Sequence, residues 1–313
     1  MSQPPVLPDS VWQSLFQSAL RVVDEIRKHG GRADPFFTFG GGTVLMLRYR
    51  HRMSKDIDLF VPDPQSLAYV TPRLCNVAEA LCNSQYVEAA LYVKLQLEAG
   101  EIDFVAAPNL LPEEHAFERW NLFGVSVLVE TAAEIVAKKM FHRGDKATAR
   151  DLFDLALVID REPDAMALAQ PFLFRHADKF VEHLQAPSEG FVRQFQDIHT
   201  LEYQPTFEQA ANIVLRHFHG MQAALETSRQ YAVELAKQNA YIPEAANVDR
   251  SDHIGKVLME TSHHIVQHVG PDRATIHEKH RLPLPFHRTG DDASLHIRYR
   301  NGFAQSLFSP RAR

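Results

Sequence analysis

The stretch GGGTVLMLRYRHRMSKDIDLFV, residues 40–61, joins a run of glycines to an apolar segment that contains two aspartates. Residues two apart on a strand point to the same face, so Asp56 and Asp58 would share one face while the apolar residues between them pack on the core. Two carboxylates this close repel each other unless a cation lies between them. The stretch therefore predicts a strand that carries a cation site on one face.

A third carboxylate occurs in EIDFV, where Asp103 lies between apolar neighbours on another predicted strand. Carboxylate oxygens are the ligands that Mg²⁺ prefers, and bound Mg²⁺ usually contacts substrate phosphates as well. We therefore predict that Asp56, Asp58 and Asp103 hold Mg²⁺ or Mn²⁺. Two alternatives remain open: the pair could face solvent on an edge strand, and Asp103 could lie on the surface of a hairpin.

A glycine turn precedes the aspartates, between the short aromatic strand FFTF (residues 36–39) and the helix predicted for TVLMLRYR. The backbone N–H groups of Gly41 and Gly42 and the helix N-terminus can hold an anion such as a triphosphate. The Thr43 hydroxyl could add a contact. A tight turn without a ligand is the alternative, but a glycine turn followed by Asp-x-Asp on a strand favours a nucleotide site.

Composition and charge restrict the class of protein. The chain has 313 residues, of which 45% are hydrophobic and 23% charged, as in a globular protein of two or three domains. A formal net charge of -6 excludes a protein that coats nucleic acid with its whole surface, although a local basic surface is compatible with it. Cys75 and Cys82 are too far apart on one predicted helix for a disulfide, and no apolar run approaches the length of a membrane span. We expect a cytoplasmic protein with no membrane partner.

Three stretches together carry a family resemblance: GGTVLMLRYRHRMSKDIDLF, EIDFV and EIVAKKMFHRGDKATARDLFDL. They resemble the AbiEii/AbiGii toxin family of the polymerase-β-like nucleotidyltransferase superfamily, over roughly residues 36–160. The resemblance implies an α+β fold with a polymerase-β-like mixed sheet and helices. It also implies metal-dependent transfer of a nucleoside monophosphate from an NTP to an RNA, such as tRNA, or to a protein. Such an enzyme would be the toxin of a toxin–antitoxin or abortive-infection system, with a cognate antitoxin as a candidate partner.

The resemblance assigns roles to further residues. The family's helical lysine corresponds to Lys139, with the adjacent Lys138 as the alternative. Its Arg-Asp-x-x-Asp motif corresponds to Arg150, Asp151 and Asp154. The predicted catalytic residues are Asp56, Asp58, Asp103, Lys139 and Asp151, and the predicted nucleotide contacts are Gly41, Gly42, Thr43, Ser54, Arg143 and Arg150. A solvated basic face is the alternative for the cations, and a structural ion pair with Arg150 is the alternative for Asp151.

The C-terminal part is rich in histidine and in short predicted strands. Strand alternation would send His263 and His264 to opposite faces, and no cysteine is nearby, so a zinc site is not favoured. The segments GKVLMETSHHIVQHVG, HEKHRL and IRYRNG instead resemble the KfrB-type domain of plasmid-encoded proteins, a resemblance that implies no molecular role. The final residues are basic through Arg298, Arg300, Arg311 and Arg313. Contact with nucleic acid and a solvated tail are both open there.

These observations predict the organisation of the chain. A nucleotidyltransferase core would span residues 1–160, a helical region 161–239, a linker 240–252, a small β-rich KfrB-like domain 253–303, and a basic tail 304–313. Every candidate catalytic residue lies in the core. Two other functions remain open: a nucleotide-binding regulatory module without catalysis, and a non-enzymatic plasmid-maintenance protein that acts through its C-terminal domain.

Overall fold

The computed structural model of the chain describes residues 11–30, 34–283 and 294–308. Its helices are α1 (Val11–His29), α2 (Gly41–Tyr49), α3 (Asn76–Cys82), α4 (Glu113–Ala116), α5 (Ala132–Arg143), α6 (Ala149–Arg161), α7 (Pro163–Leu173), α8 (Ala177–Gln185), α9 (Glu189–Gln196) and α10 (Phe207–Gln238). Its strands are β1 (Thr38–Gly40), β2 (Ile57–Val61), β3 (Tyr86–Ala89), β4 (Tyr92–Leu97), β5 (Gly100–Ala106), β6 (Phe117–Leu122), β7 (Val125–Glu130), β8 (Ile242–Ala245), β9 (Arg250–Glu260), β10 (His264–Gly270), β11 (Arg273–Glu278), β12 (Ser294–Arg300) and β13 (Phe303–Phe308).

The chain folds into two compact units. The first unit comprises Met1–Lys139, Ala147–Ala169 and Ala186–Ile213. The second unit comprises Met140–Lys146, Gln170–Gln185 and Val214–Arg313. Helices α5, α7 and α10 therefore contribute residues to both units.

The first unit is built on a seven-stranded mixed sheet with the strand order β3-β4-β5-β2-β1-β7-β6. Strand β2 pairs parallel with β5 and β1 pairs parallel with β7, whereas the other neighbours are antiparallel. This sheet and its helices confirm the predicted α+β fold. The edge strands β3 and β6 are absent from the sequence prediction, because most of their side chains are exposed and they lack a clear apolar alternation.

The two faces of this sheet differ in chemistry. On one face, β2 buries its apolar residues, and the ring of Phe39 in β1 lies 4.9 Å from that of Phe16 in α1. On the other face, Nζ of Lys138 in α5 lies 4.2 Å from the centre of the Phe60 ring. Strand alternation places Asp58 on this second face with Phe60. Helix α1 therefore covers the apolar face, and the carboxylates lie on the face of α5.

The second unit contains a six-stranded sheet with the strand order β13-β12-β9-β10-β11-β8. Its neighbours are antiparallel except for β8, which pairs parallel with β11. The C-terminal part of α10 packs Ala232 and Ala236 against Val266, Ala274 and Ile276 of this sheet. The predicted β-rich C-terminal region is therefore confirmed, and part of α10 belongs to its core.

The segment predicted as a linker, residues 240–252, has a different structure. It contains β8 at one edge of the sheet, and β9 begins at Arg250. An edge strand tolerates proline because it needs fewer ladder hydrogen bonds, so Pro243 fits within β8. The asparagine, aspartate and proline content that favours a linker is thus equally compatible with a short exposed strand.

Residues 304–313, predicted as a basic tail, contribute to β13 as far as Phe308. Strand β13 pairs with β12, in which Nε of Arg298 donates to Oδ1 of Asp252 (3.0 Å). Arg311 and Arg313 lie outside the described residues. Contact between this tail and nucleic acid stays a prediction.

His277 of β11 is the centre of a buried hydrogen-bond network. Its Nδ1 lies 3.0 Å from the Tyr299 hydroxyl, and its Nε2 lies 3.1 Å from Oε1 of Gln267. The Gln267 amide in turn donates to the carbonyls of Gly255 (3.0 Å) and Leu295 (2.7 Å). The imidazole therefore joins four strands of the second sheet through side-chain contacts.

Acidification is expected to destabilise the second unit. Burial lowers the pKa of His277 to about 3 and the pKa of both His264 and His280 to about 4. A histidine with a depressed pKa in the folded state contributes stability above its unfolded pKa of about 6.5, and this contribution is lost as the pH falls. Between about pH 6.5 and about pH 4, each of these histidines should lower the free energy of unfolding by about 1.4 kcal/mol per pH unit.

Urea unfolding at neutral and at mildly acidic pH measures this loss. His277→Gln should reduce the difference between the two free energies of unfolding, whereas the exposed His219→Gln should leave it unchanged. A free energy of unfolding that is the same at both pH values would contradict the prediction.

Candidate active site

Three neighbouring strands of the first sheet bring the central predicted residues together. Asp58 of β2 is the register partner of Asp103 in the parallel strand β5. On its other side, Asp58 is the register partner of Gly40 in β1. Neighbouring strands lie about 4.8 Å apart, so the two carboxylates and the start of the glycine turn are adjacent on one sheet.

The glycine turn approaches Asp58 closely. Gly41 has a φ of 74°, a left-handed conformation that glycine adopts without strain. A Cβ atom on Gly41 would overlap the Asp58 carboxylate, and a Cβ atom on Gly42 would lie 2.6 Å from Nη2 of Arg52. Both glycines are therefore needed for a carboxylate and a guanidinium to approach the first turn of α2.

Thr43 lies in that first turn, but its hydroxyl is used within the protein. The buried Thr43 hydroxyl donates to the carbonyl of Asp56 (2.6 Å) and lies 3.0 Å from the Ser54 hydroxyl. These contacts hold the segment before β2 against α2. The nucleotide contacts predicted for Thr43 and Ser54 stay predictions, and in the structure the two hydroxyls contact each other.

Asp56 and Asp103 have different surroundings. Asp56 immediately precedes β2, and its Oδ1 accepts the backbone N–H of Glu101 (3.1 Å). Oδ2 of Asp103 lies 3.4 Å from Nζ of Lys94, and its buried Oδ1 has no hydrogen-bond partner among the described residues. Burial, together with the charge of Asp58, raises the pKa of Asp103 to about 7. Asp103 therefore changes its charge near neutral pH.

The surroundings of Asp103 fit a divalent cation. A cation beside Asp58 and Asp103 would give the unpartnered oxygen a ligand and would offset the repulsion between the two carboxylates. Hard carboxylate oxygens suit Mg²⁺ or Mn²⁺. Across residues 11–30, 34–283 and 294–308, no group of three or more His, Cys, Asp or Glu side chains is arranged to hold a metal ion. The ligand set with Asp56 as a third carboxylate stays a prediction.

A second charged network is centred on Asp154 in α6. Arg52 donates from Nε (2.7 Å) and Nη2 (2.8 Å) to the two oxygens of Asp154, and Nε2 of His51 lies 2.9 Å from Oδ1. Lys139 donates to Oδ2 of Asp154 (2.5 Å) and to Oδ1 of Asp151 (2.9 Å). Burial alone would raise the pKa of Asp154, but Arg52 and Lys139 hold it well below its usual range. The network joins the segment before β2 to α5 and α6.

Asp151, predicted to be catalytic, closes the first turn of α6. Its Oδ2 accepts the backbone N–H (3.0 Å) and the hydroxyl (2.9 Å) of Thr148, in a capping box. Asp151 forms an ion pair with Lys139, and the sequence offers Arg150 as another partner. Arg143 and Arg150, both predicted nucleotide contacts, are exposed. Asp151 therefore caps this helix end, and its catalytic role stays a prediction.

Glu130, at the end of β7, is a buried residue beside the glycine turn that sequence reasoning misses. Its buried Oε1 accepts from Nζ of Lys138 (2.6 Å) and from the Thr38 hydroxyl (2.8 Å). Its Oε2 lies where a Cβ atom on Gly40 would be, and its carbonyl accepts from Nε (3.2 Å) and Nη2 (2.6 Å) of Arg48. Glu130 thus holds α2 near both of its ends. A glutamate that closes the apolar strand VSVLVE is the signal that could have identified it.

Lys138→Ala and Lys139→Ala are expected to affect different properties. Nζ of Lys138 contacts Glu130 (2.6 Å) and Glu134 (3.4 Å), and all three side chains are buried. Removing this lysine leaves buried carboxylates without their cation, so Lys138→Ala should lower the free energy of unfolding by about 3–5 kcal/mol. Lys139→Ala should instead cause the larger loss of nucleotidyl transfer per folded molecule, because Lys139 joins the network that reaches the glycine turn through Arg52.

Urea unfolding and transfer assays at low temperature separate the two effects. Lys146→Ala, at an exposed position after the same helix, is the matched control and should change neither property. If Lys138→Ala lowers nucleotidyl transfer per folded molecule and Lys139→Ala leaves it unchanged, the roles of the two lysines are reversed.

Comparison with known proteins identifies two regions. Residues 30–233 match the family described as nucleotidyl transferase AbiEii toxin, type IV TA system, and residues 252–307 match the KfrB domain. Both matches confirm the resemblances seen in the sequence. A comparison with curated proteins gave no match.

Two solved structures from Helicobacter pylori are similar to the chain. One is described as a candidate nucleotidyltransferase, with 16% identity, a TM-score of 0.40, and coverage of 71% of this chain and 98% of its own. The other is JHP933, with 16% identity, a TM-score of 0.39, and coverage of 73% of this chain and 99% of its own. Among the described helices, none combines the length and the apolar character needed to cross a membrane.

Proposed function

We propose, from the premise that the chain belongs to the AbiEii family of nucleotidyltransferase toxins, that it transfers a nucleoside monophosphate from an NTP to an RNA or protein acceptor. The observation that carries this proposal is the juxtaposition of Asp58 and Asp103 with the glycine turn at Gly41. Two carboxylates beside a helix N-terminus suit a substrate that is a metal-bound triphosphate. A cognate antitoxin and a cytoplasmic location are part of the same proposal.

The first turn of α2 would hold the triphosphate. Its backbone N–H groups and the positive end of the helix dipole favour an anion, and the lack of side chains on Gly41 and Gly42 lets phosphate approach. The Arg52 guanidinium, next to Gly42, would add a charged donor to the phosphates. Its bidentate pair with Asp154 keeps the guanidinium in this orientation.

The reaction would replace one phosphoester link by another. A hydroxyl of the acceptor attacks the α-phosphorus, a new P–O bond forms, and the bond to the bridging oxygen breaks to release pyrophosphate. Asp103 would take the hydroxyl proton on a carboxylate oxygen that the cation leaves open; its pKa of about 7 describes the site without the cation, which when bound would lower it. Asp58 and Asp103 would hold Mg²⁺ or Mn²⁺, which when bound offsets the negative charge on the transferred phosphoryl group. Lys139, which pairs with Asp151 and Asp154, would add electrostatic stabilisation from α5.

A labelled-nucleotide assay tests the proposal. The full chain is incubated with each α-labelled NTP, Mg²⁺ or Mn²⁺, and a mixture of cellular RNA and protein. We expect label in the acceptor fraction, lost on addition of a chelator, and its sensitivity to ribonuclease or protease identifies the acceptor. Binding of NTP without any incorporation would overturn the proposal in favour of a regulatory module. If the chain shows no NTP binding and no incorporation of label, this result would favour a function that lies in the C-terminal domain.

A further inference from the structure

Lys94 lies beside the candidate metal site, and the transfer reaction proposed above gives it no role. It belongs to β4, where its register partner in the neighbouring strand β5 is Asp103. Asp103 is in turn the register partner of Asp58 in β2. Register partners on adjacent strands have side chains on the same face of a sheet, so the lysine and the two aspartates form one row. Neighbouring strands lie about 4.8 Å apart, which places Lys94 two strands from Asp58.

The Lys94 ammonium divides its contacts between two carboxylates. Its Nζ lies 2.5 Å from Oε2 of Glu101 and 3.4 Å from Oδ2 of Asp103. Glu101 and Asp103 are two residues apart on β5, so both side chains lie on the face that carries the lysine. All three side chains are partly buried, and solvent therefore screens these charges less than it screens fully exposed ones. The ammonium is a counter-ion that Glu101 and Asp103 share.

A divalent cation would have to share Asp103 with this ammonium. Oδ1 of Asp103 is buried and has no hydrogen-bond partner among the residues that the structure describes. A cation held jointly by Asp58 and Asp103 would lie between β2 and β5, whereas the ammonium reaches Asp103 from β4. Positive charges a few ångströms apart repel each other strongly at a partly buried site. Lys94 thus opposes the entry of a free cation.

The arrangement without a ligand agrees with this opposition. Within the part of the chain that the structure describes, no three or more His, Cys, Asp or Glu side chains are grouped to hold a metal ion. The ammonium supplies positive charge to Asp103 instead. Mg²⁺ is usually bound by one or two carboxylates together with substrate phosphates, and the negative charge of a triphosphate would offset the repulsion from Lys94. The site therefore favours a cation that arrives with a nucleotide.

We propose that Lys94 is a positioning residue that holds Asp103 in the nucleotide-free protein and makes the divalent cation enter the site together with the NTP. When the cation binds, Asp103 exchanges the ammonium for the metal, and Glu101 retains Lys94. The inference rests on the proposed function, because it takes Asp58 and Asp103 as the cation ligands. It adds an order of binding, in which the free cation binds weakly and the NTP brings it.

Titration of the full chain with Mn²⁺ in the absence of NTP tests the proposal, with electron paramagnetic resonance to measure free Mn²⁺. Lys94→Met keeps a long side chain but removes the charge, and it should tighten Mn²⁺ binding about tenfold. Lys94→Arg keeps the charge and should bind Mn²⁺ as the unchanged chain does. Lys28→Met removes the same charge from an exposed position of α1 and is the control that should leave the affinity unchanged. Equal or weaker binding by Lys94→Met, or no binding by either chain, would overturn the proposal.

Glu101 provides a second test, of opposite sign. Glu101→Gln removes the partner that retains the ammonium, so Lys94 would pair with Asp103 alone and Mn²⁺ binding should weaken. The effect should be smaller in the double variant with Lys94→Met, because the ammonium is then absent. If Glu101→Gln weakens binding equally with and without Lys94, it acts through its own charge only, and the proposed role of Lys94 is wrong.

The Mn²⁺ titration and the labelled-nucleotide assay can fail independently. If label is transferred while Lys94→Met leaves the Mn²⁺ affinity unchanged, the order of binding is wrong and the proposed function stands. If no label is transferred while Lys94→Met tightens Mn²⁺ binding, the role of Lys94 stands and the transfer reaction is wrong. Adding Asp58→Asn to Lys94→Met should abolish the tightened binding, and binding that persists would place the cation away from this row and overturn the proposal.

Discussion

Asp58→Asn is expected to lower nucleotidyl transfer by about a hundredfold or more while the fold is preserved. Asparagine has the same shape, so it can occupy the space beside Gly41, but it removes the charge that would hold a cation together with Asp103, its register partner across β2 and β5. Because Asp103 then loses a like charge while Arg52 loses an opposite one, the free energy of unfolding should change little, and the pKa of Asp103 should move back toward its usual value.

Three measurements separate this outcome from simple damage. Thermal unfolding reports the fold, a binding titration reports the NTP, and the labelled-nucleotide assay reports transfer. Glu98→Gln, at an exposed position of the β4–β5 hairpin, also removes one carboxylate and should leave transfer unchanged. Full activity of Asp58→Asn would remove the basis for placing the metal and the reaction on this face of the sheet.

Asp154→Asn should cause a loss of about 3–5 kcal/mol in the free energy of unfolding. The side chain is fully buried and accepts hydrogen bonds from Arg52 and Lys139, so the amide leaves the buried Arg52 without its anion and leaves Lys139 with Asp151 alone. Transfer should fall as well, because Arg52 loses the partner that orients it beside Gly42.

Urea unfolding measures the loss, and Asp160→Asn provides a matched control at an exposed position of the same helix. A double variant, Arg52→Met with Asp154→Leu, should recover part of the stability without recovering transfer, because removing both members of a buried ion pair avoids the unpaired charge. If Asp154→Asn lowers the free energy of unfolding no more than Asp160→Asn does, the network contributes nothing to the stability of the fold.

The sequence predicts those parts of the site that depend on local pattern. A period of two places Asp58 on the face opposite the core, and the glycine turn before it predicts a helix N-terminus next to that strand. The register between strands is not predicted in this way. Asp103 lies directly beside Asp58 because β2 pairs with β5, and the pattern within one strand does not reveal which strands pair. Glu130 escapes detection for the same reason, since its contact with Thr38 joins strands that are far apart in the chain.

Differences between the sequence prediction and the structure follow from weak local signals. The short edge strand β8 resembles a linker because its residues are mostly exposed and include proline. Thr43 has the right residue type for a phosphate contact, and only the positions of Asp56 and Ser54 reveal that its hydroxyl is already engaged. The interior of each unit is thus better predicted than its edges and its polar contacts.

The side chains that hold the glycine turn in place lie far from it in the sequence, and this affects the chain during its synthesis. The Arg52–Asp154 pair joins residues 102 positions apart, and the Thr38–Glu130 contact joins residues 92 positions apart. At translation rates of about 5–20 residues per second, about 5–20 s pass between the synthesis of Arg52 and that of Asp154. A nascent chain in this interval carries the glycine turn and Asp58 without the side chains that hold them in place. Products of interrupted translation that end before Asp154 should therefore be harmless to the cell that makes them.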